Sequence, residues 1–475
     1  MNAIVSNAAS LSAQAAPAPV ASPADMSPRT LLLLKGPILA TLLRLAWPNV
    51  LVMLAQASTG LIETFWVSRL GTDALAGMAF VFPGYMMMTM LSAGALGGGI
   101  SSAIARALGS GRRGDADALV LHAILVNLAL GLATSALFLV FGRTLYASMG
   151  AHGGSLEAAM TYSNVVFAGN VVLWLMNALA SVIRGSGDMF FPSAVVCIGV
   201  LLLIPLSPIL IFGLGPLPGL GVTGAGLAVV MTTTVMAAIL AWPVFAGGGI
   251  VRFRWARLKA AFFADILRVG GVGTLSTLQT TLTVALTTSL VGAAGGPNAV
   301  AGYGTGSRLE YLLIPLVFGL GAPMVAMVGA NIGAGQRERA LRIAMTGGAL
   351  AFAATGAIGL AAAIWPADWL KLFGDDPVMI ATGSAYLRFV GPTYGFFGLG
   401  LSLFFASQGA GRLMWPLLGG TARLLIAVGG GYLALAATGS LASVFVMLAA
   451  ALLAYGLIVA TAVKSGVWFR GGGRA

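Results

Sequence analysis

Residues 185–192, GSGDMFFP, and residues 409–416, GAGRLMWP, carry Gly, Gly and Pro at one spacing, 224 positions apart. The same offset pairs Leu43-Arg44 with Leu267-Arg268, Gly71 with Gly295, Gly109 and Gly111 with Gly333 and Gly335, Arg113 with Arg337, Gly150 with Gly374, and Tyr162 with Tyr386. Agreement without a gap across so many backbone punctuation marks identifies an internal duplication.

Composition says which solvent the two halves occupy. The chain is 59% apolar and only 8% charged, with a mean hydropathy of +0.97, beyond what a water-soluble domain shows. Apolar runs long enough to cross a bilayer, about 20 residues each, fall at 38–66, 74–104, 118–142, 158–183, 190–213, 222–246, 270–293, 298–331, 340–365, 380–406, 415–435 and 441–464. That is six spans in each half. An even number keeps the halves in the same orientation, so a pseudo-two-fold axis along the membrane normal relates them. The expected fold class is an all-α polytopic membrane protein with twelve transmembrane helices in two six-helix lobes. Its expected parts are a disordered tail (1–35), an N-lobe (36–246), an amphipathic linker (247–269), a C-lobe (270–465) and a short tail (466–475).

The leader from Met1 to Thr30 is rich in Ala, Ser and Pro and lacks a basic start and a long apolar core, so it reads as a tail and not as a cleaved signal. With the N-terminus inside, 19 of the 25 Lys and Arg residues fall on the cytoplasmic side, which is the expected bias for a bacterial inner (plasma) membrane protein with both termini in the cytoplasm. Basic loops facing an anionic leaflet account for the +12 net charge without nucleic acid. Within the linker, Phe253, Trp255, Leu258, Phe262 and Ile266 recur near helical spacing among Arg252, Arg254, Arg257 and Lys259, which suggests a helix lying on the inner membrane surface. A solvated basic loop is the alternative.

One cysteine, Cys197, cannot form an intrachain disulfide, and His122 and His152 are too few and too scattered for a metal cluster. No HExxH, GxSxG or clustered histidine marks an enzyme, and no repeated selectivity filter marks a channel. A two-lobed bundle with a cavity between its halves points to a transporter, working as a monomer in the bilayer with no cofactor.

The stretch GLIETFWVSRLG, residues 60–71, puts a carboxylate, Glu63, inside the first span. A charge there costs about 2.5–3.5 kcal/mol or more, so it is a functional candidate by default. Gln56, Thr59 and Glu63 are spaced by three and four residues and share one helix face, where an amide, a hydroxyl and a carboxylate can hold a proton or a small cation. A buried acid tied to polar neighbours is the structural alternative.

The runs LRLAWPNVLVMLAQASTGLIETFWVSRLGTDALAGMAF, ARALGSGRRGDADAL, ASVIRGSGDMFFPSAV, GYGTGSRLEYLLIPLVFGLG, VGANIGAGQRERAL and VGPTYGFFGLGLSLFFASQGAGR resemble, in that order, the multidrug and toxic compound extrusion (MATE) family. The likeness extends from about Pro37 to Lys464. It implies a V-shaped antiporter that expels amphipathic, often cationic compounds in exchange for H⁺ or Na⁺, with Glu63 at the position of a first-helix acid that is usually Asp. The chain departs from the family pattern twice. Ser207 stands where many DinF-like members have an acid, and Gln279 with Thr280 stands where NorM-like members have a Glu. The resemblance is closer to the DinF-like branch. A single carboxylate suits H⁺ better than Na⁺, which wants several oxygen ligands that Asn170 and Asn177 would have to supplement. A lipid-linked oligosaccharide flippase of the same superfamily is the competing function, set back by having only Arg308, Arg388 and Arg423 within the spans.

SRLEYLLIP holds a second charged group, where Arg308 and Glu310 are two residues apart and point to different sides of a helix. Arg388 is the expected mate of Glu310, as a structural ion pair or as part of a second proton or substrate-cation site. Glu310 and Arg308, together with Gln279, Tyr311 and Tyr394, make the expected substrate cavity. GALGGG and FGLGAP read as places of close helix approach.

Overall fold

The structure, a computed structural model, describes residues 26–469. Its helices are α1 (Pro28–Lys35), α2 (Ile38–Ser68), α3 (Thr72–Thr89), α4 (Gly97–Gly109), α5 (Arg113–Ser148), α6 (Gly153–Ala168), α7 (Asn170–Gly185), α8 (Phe190–Phe212), α9 (Val222–Phe245) and α10 (Ala260–Gly333). They continue with α11 (Arg337–Ile364), α12 (Pro366–Leu370), α13 (Pro377–Val390), α14 (Tyr394–Gly409), α15 (Met414–Leu424), α16 (Gly431–Thr438) and α17 (Leu441–Lys464). A π-helical turn, Met90–Leu96, joins α3 to α4, and another, Leu425–Gly430, joins α15 to α16.

Among the described residues nine helices are long and apolar enough to cross a membrane, or ten if α6 and α7, bent by 45°, form one span. The 74-residue α10 is two spans, because Gly296 has φ 72 and Pro297 starts a new helix there. With this split and the 31-residue α2, the ten become twelve. In hydrocarbon only helices and closed β-barrels satisfy every backbone group, and apolar runs of this length, without the alternation of barrel strands, span as helices.

The duplication reappears at the level of element bounds. Adding 224 carries the starts of α5, α6, α7 and α8 (Arg113, Gly153, Asn170, Phe190) onto those of α11, α13, α14 and α15 (Arg337, Pro377, Tyr394, Met414). It also carries the left-handed Gly111 and Gly187 (φ 75 and 91) onto Gly335 and Gly411 (φ 74 and 69).

Packing between apolar helices in lipid relies on small residues, since burial there gains nothing over lipid contact. GALGGG fulfils this expectation. A Cβ on Gly97 would lie 2.5 Å from Ser181 Oγ, one on Gly98 would overlap the Gln408 amide, and one on Gly99 would lie 2.7 Å from the Ile266 carbonyl. α4 thus threads against α7 of its own lobe and against α10 and α14 of the other.

The lobes meet at the end that carries the basic loops. Ser102 Oγ donates to the carbonyls of Gln408 (2.6 Å) and Gly409 (3.0 Å), and Arg106 Nη2 reaches both carboxylate oxygens of Asp265 at 2.8 Å. Toward the other end α6 and α9 share no packed interface with the C-lobe, nor do α13, α15, α16 and α17 with the N-lobe, among the described residues. The molecule is a V closed at its basic end.

Two local expectations are corrected. The described part of the 1–35 tail is not irregular: α1 is capped by Ser27, whose Oγ accepts from Thr30 N at 3.2 Å, and it buries Leu33 and Leu34. Residues 1–25 and 470–475 lie outside the described residues. α1 also bridges the lobes, with Arg29 on Asp188 at 2.7 Å, Asn331 Nδ2 donating to the Leu33 carbonyl at 3.0 Å, and Arg339 donating to the Gly36 carbonyl. In the linker, the helical spacing of 253–266 becomes helix only from Ala260; the stretch before it is non-helical. Acceptors on α5 hold it so: Asp117 Oδ1 takes the Arg252 backbone N–H (2.9 Å) and His122 Nε2 takes that of Lys259 (3.0 Å). Those bonds outweigh amphipathic periodicity.

Candidate functional site

Each lobe contains one intramembrane carboxylate, and their surroundings differ. Glu63 sits in the last turns of α2 with its Oε1 fully enclosed and without a hydrogen-bond partner among the described residues. Thr59 turns its hydroxyl back to the Ala55 carbonyl at 3.1 Å, leaving only its oxygen lone pairs to offer. The Gln56 side chain lies outside what is described.

Asn170 and Asn177, on one face of α7, are committed elsewhere. Asn170 Nδ2 donates to Thr134 Oγ1 at 2.8 Å, and Asn177 Nδ2 donates to Ser92 Oγ at 2.8 Å. Asn170 Oδ1 is buried and unpartnered among the described residues. No hydrogen bond among the described residues joins either asparagine to Glu63, and the free Asn170 Oδ1 keeps its capacity to ligate a cation.

Glu310, by contrast, is fully engaged. Arg423 Nη2 donates to its Oε1 at 2.6 Å, and the Tyr386 hydroxyl donates to its Oε2 at 3.2 Å. Tyr394 donates in turn to Tyr386 at 3.4 Å, and the Arg423 guanidinium lies 5.2 Å from the centre of the Phe397 ring. The expected mate, Arg388, is exposed on α13, because its position on that helix turns it away from α10. Arg308 is also exposed, 5.5 Å from the centre of the Phe373 ring.

Glu310 and Tyr311 border a cavity of about 40 Å³ with Thr280, Thr283, Ser307 and Arg423, inside the C-lobe and not between the lobes. At about 10–15 Å³ per water it holds roughly three, far below the 300–1,000 Å³ of a drug-sized site. Gln279, Arg308 and Tyr394, expected in a substrate cavity, do not line it. Gln279 Nε2 instead donates to Thr421 Oγ1 at 2.8 Å, tying α10 to α15. The C-lobe polar set is an internal hydrogen-bonded network beside a cavity of water size.

A residue that sequence reasoning placed in a loop belongs inside. Arg184, in the last turn of α7, borders a second cavity between the lobes, together with Ser101, Ser181 and Gln408. The duplication carried no warning of this, since Arg184 and its counterpart Gln408 both fall just past the spans read at 158–183 and 380–406.

Comparison with known proteins agrees with this architecture. The MatE family model matches residues 48–209 and 274–433, one stretch in each lobe. A "FAD transporter" of Shewanella oneidensis is 28% identical over 382 residues, covering 79% of this chain and 82% of that protein. A "Probable multidrug resistance protein NorM" of Thermotoga maritima is 24% identical over 386 residues, covering 79% and 81%. Among solved structures, one described as MATE in the bent conformation superposes with a TM-score of 0.85 at 26% identity, covering 93% of this chain and 99% of that one. An outward-facing multidrug resistance MATE transporter of the MOP superfamily gives 0.84 at 26%, covering 93% and 98%.

Proposed function

The chain belongs to the MatE family of multidrug and toxic compound extrusion transporters, and from that premise we propose that it exports amphipathic, cationic compounds in exchange for protons, with Glu63 as the coupling group. It is a multi-pass membrane protein and not an enzyme. The observation that carries the coupling is the enclosed, unpartnered Oε1 of Glu63. A carboxyl oxygen left without a fixed cation or donor among the described residues lets the group be neutral or charged at modest cost to its surroundings, as a proton carrier requires.

Protonation from outside neutralises Glu63 and favours one packing of the N-lobe; release to the cytoplasm restores a charge that attracts the next cation. Exchange of one proton for one monovalent cation moves no net charge, so the pH difference alone drives it, at about 1.4 kcal/mol per unit. Sodium coupling has less support, since a desolvated sodium ion wants several oxygen ligands and Glu63 is the single carboxylate within the N-lobe spans. Within the family we place the chain nearer the DinF-like branch, because its free acid is in the first span and Gln279 stands where NorM-like members carry Glu. We place the basic end in the cytoplasm on the Lys and Arg distribution, and read the protein as a monomer of a bacterial inner membrane.

A second reading is favoured by Arg184. One relative is named for transport of FAD, an anion, and a guanidinium between the lobes suits such a cargo better than a cation. The experiment is uptake of ethidium into inside-out vesicles under a pH gradient or a Na⁺ gradient, for wild type and Glu63→Gln. Uptake driven by the pH gradient and lost in the variant is expected. Uptake that survives in Glu63→Gln with its pH dependence intact overturns the assignment.

A further inference from the structure

Arg184 and Gln408 occupy equivalent places in the two repeats, each the penultimate residue of its helix, α7 and α14. Both border one cavity of about 20 Å³, with Ser101, Ser181, Phe318 and Phe405 among its other walls. Since residues exchanged by the pseudo-two-fold share this cavity, the axis runs through it. It is the floor of the cleft, where the two lobes close on each other.

The charges there do not balance. Among the described residues the guanidinium of Arg184 has one side-chain partner, Ser181 Oγ at 3.2 Å, and no carboxylate within 4.0 Å. Arg423 and Arg106 each have an acid, while Arg339, also without one, donates to the Gly36 carbonyl. Gln408 is 1% exposed; its Nε2 is held by the Gly94 and Ala95 carbonyls at 3.1 and 3.3 Å, while its Oε1 has no partner. The cavity lining therefore includes a residue with spare N–H donors and a full positive charge and another with a spare acceptor. The C-terminal dipole of α7 supplies about half a compensating charge, and the remainder of an enclosed guanidinium is unmet. Phe318 and Phe405 add aromatic surface beside it.

We propose that Arg184, with Ser181 and Gln408, recognises an oxyanion, a carboxylate or phosphate, on an amphipathic substrate whose apolar body rests against Phe318 and Phe405. Arg184 binds the anion, and Gln408 Oε1 accepts from a protonated oxygen or a bridging water. In the closed arrangement the site holds a water-sized group; it takes the substrate when the lobes part. The proposal deepens the export reading and rests on it for passage of the substrate, though not for binding. With Glu63 in the same lobe, substrates carrying both signs are accommodated as well.

The test compares dansylglycine, a carboxylate, with dansylglycinamide, its neutral counterpart, binding to the full chain in phosphatidylcholine nanodiscs, so that no anionic lipid competes. Wild type should prefer the carboxylate by about tenfold or more, Arg184→Gln should bring the ratio to within about twofold of unity, and Arg184→Lys should keep part of it. Gln408→Glu, which places a carboxylate opposite Arg184, should remove the preference by supplying the anion internally, and it serves where Arg184→Gln does not fold. A ratio in wild type that neither variant changes overturns the site. Ethidium efflux from proteoliposomes is measured in parallel. Efflux with no Arg184-dependent ratio sinks the anion site alone, and a ratio without efflux of any dye sinks the export reading alone.

Discussion

Arg423 on α15 and Glu310 on α10 are 113 residues apart in the chain and meet at 2.6 Å inside the C-lobe, with 11% and 18% of their side chains exposed. Breaking one member of such a pair leaves the other uncompensated at about 3–5 kcal/mol, whereas replacing both with apolar groups of similar volume can be neutral. Glu310→Gln or Arg423→Met should each lower the thermal midpoint in detergent sharply, and the double variant should recover most of it. A double variant that is stable yet unable to transport would move the pair from scaffold to mechanism.

Gly98 and Gly109 test how the lobes close. A methyl on Gly98 meets the Gln408 side chain, which can swing away, but one on Gly109 meets the Ala330 backbone carbonyl, which cannot. Gly109→Ala is expected to hold the basic end ajar, and Gly98→Ala to do so less. Cross-linking yield between cysteines placed at Ala105 and Gly329, which approach at this seam, should fall several-fold in the first variant.

The sign of the pH effect at Glu63 follows from its charge. As pH falls, protonation removes the negative charge that attracts a cationic substrate, so ethidium affinity for wild type in nanodiscs should weaken on acidification. In Glu63→Gln the affinity should be flat across the same range. An equally steep dependence in both would assign the titration to another group.

The linker can be freed without touching the spans. Asp117→Ala removes the acceptor of the Arg252 N–H and the 3.5 Å contact to Arg254, whereas Asp117→Asn keeps an acceptor oxygen. Trypsin should cut at Arg252, Arg254 or Arg257 about tenfold faster in the Ala variant, in line with about 1.4 kcal/mol of lost local stability, and less so in the Asn variant.

Much of this architecture was legible in the sequence because Gly and Pro fix backbone turns locally: Gly111, Gly187 and their partners at 224 residues' distance mark the same corners in both lobes. Glu63 was legible for a similar reason, as a charge in an apolar run needs no partner to be noticed. Pairings were not. Helical spacing excluded Arg308 as the sole partner of Glu310, but nothing local distinguishes Arg388 from Arg423, since the choice depends on which face of a distant helix is turned inward. The linker misled because Asp117 and His122, the acceptors that hold it extended, belong to another helix. Arg184 was counted as a loop residue because span boundaries blur by several positions, and those few positions decide whether a cation faces water or the cleft.

The seating of α1 has a consequence for assembly during synthesis. Its Leu33 carbonyl waits for Asn331, made 298 residues later. At about 5–20 residues per second, that interval is roughly 15–60 s. For that time α1 has only its N-lobe contact available, and the basic end cannot be latched on its C-lobe side. The seal on that face is therefore completed only after the eighth span has emerged, so a nascent chain halted before that point carries an unsealed N-lobe.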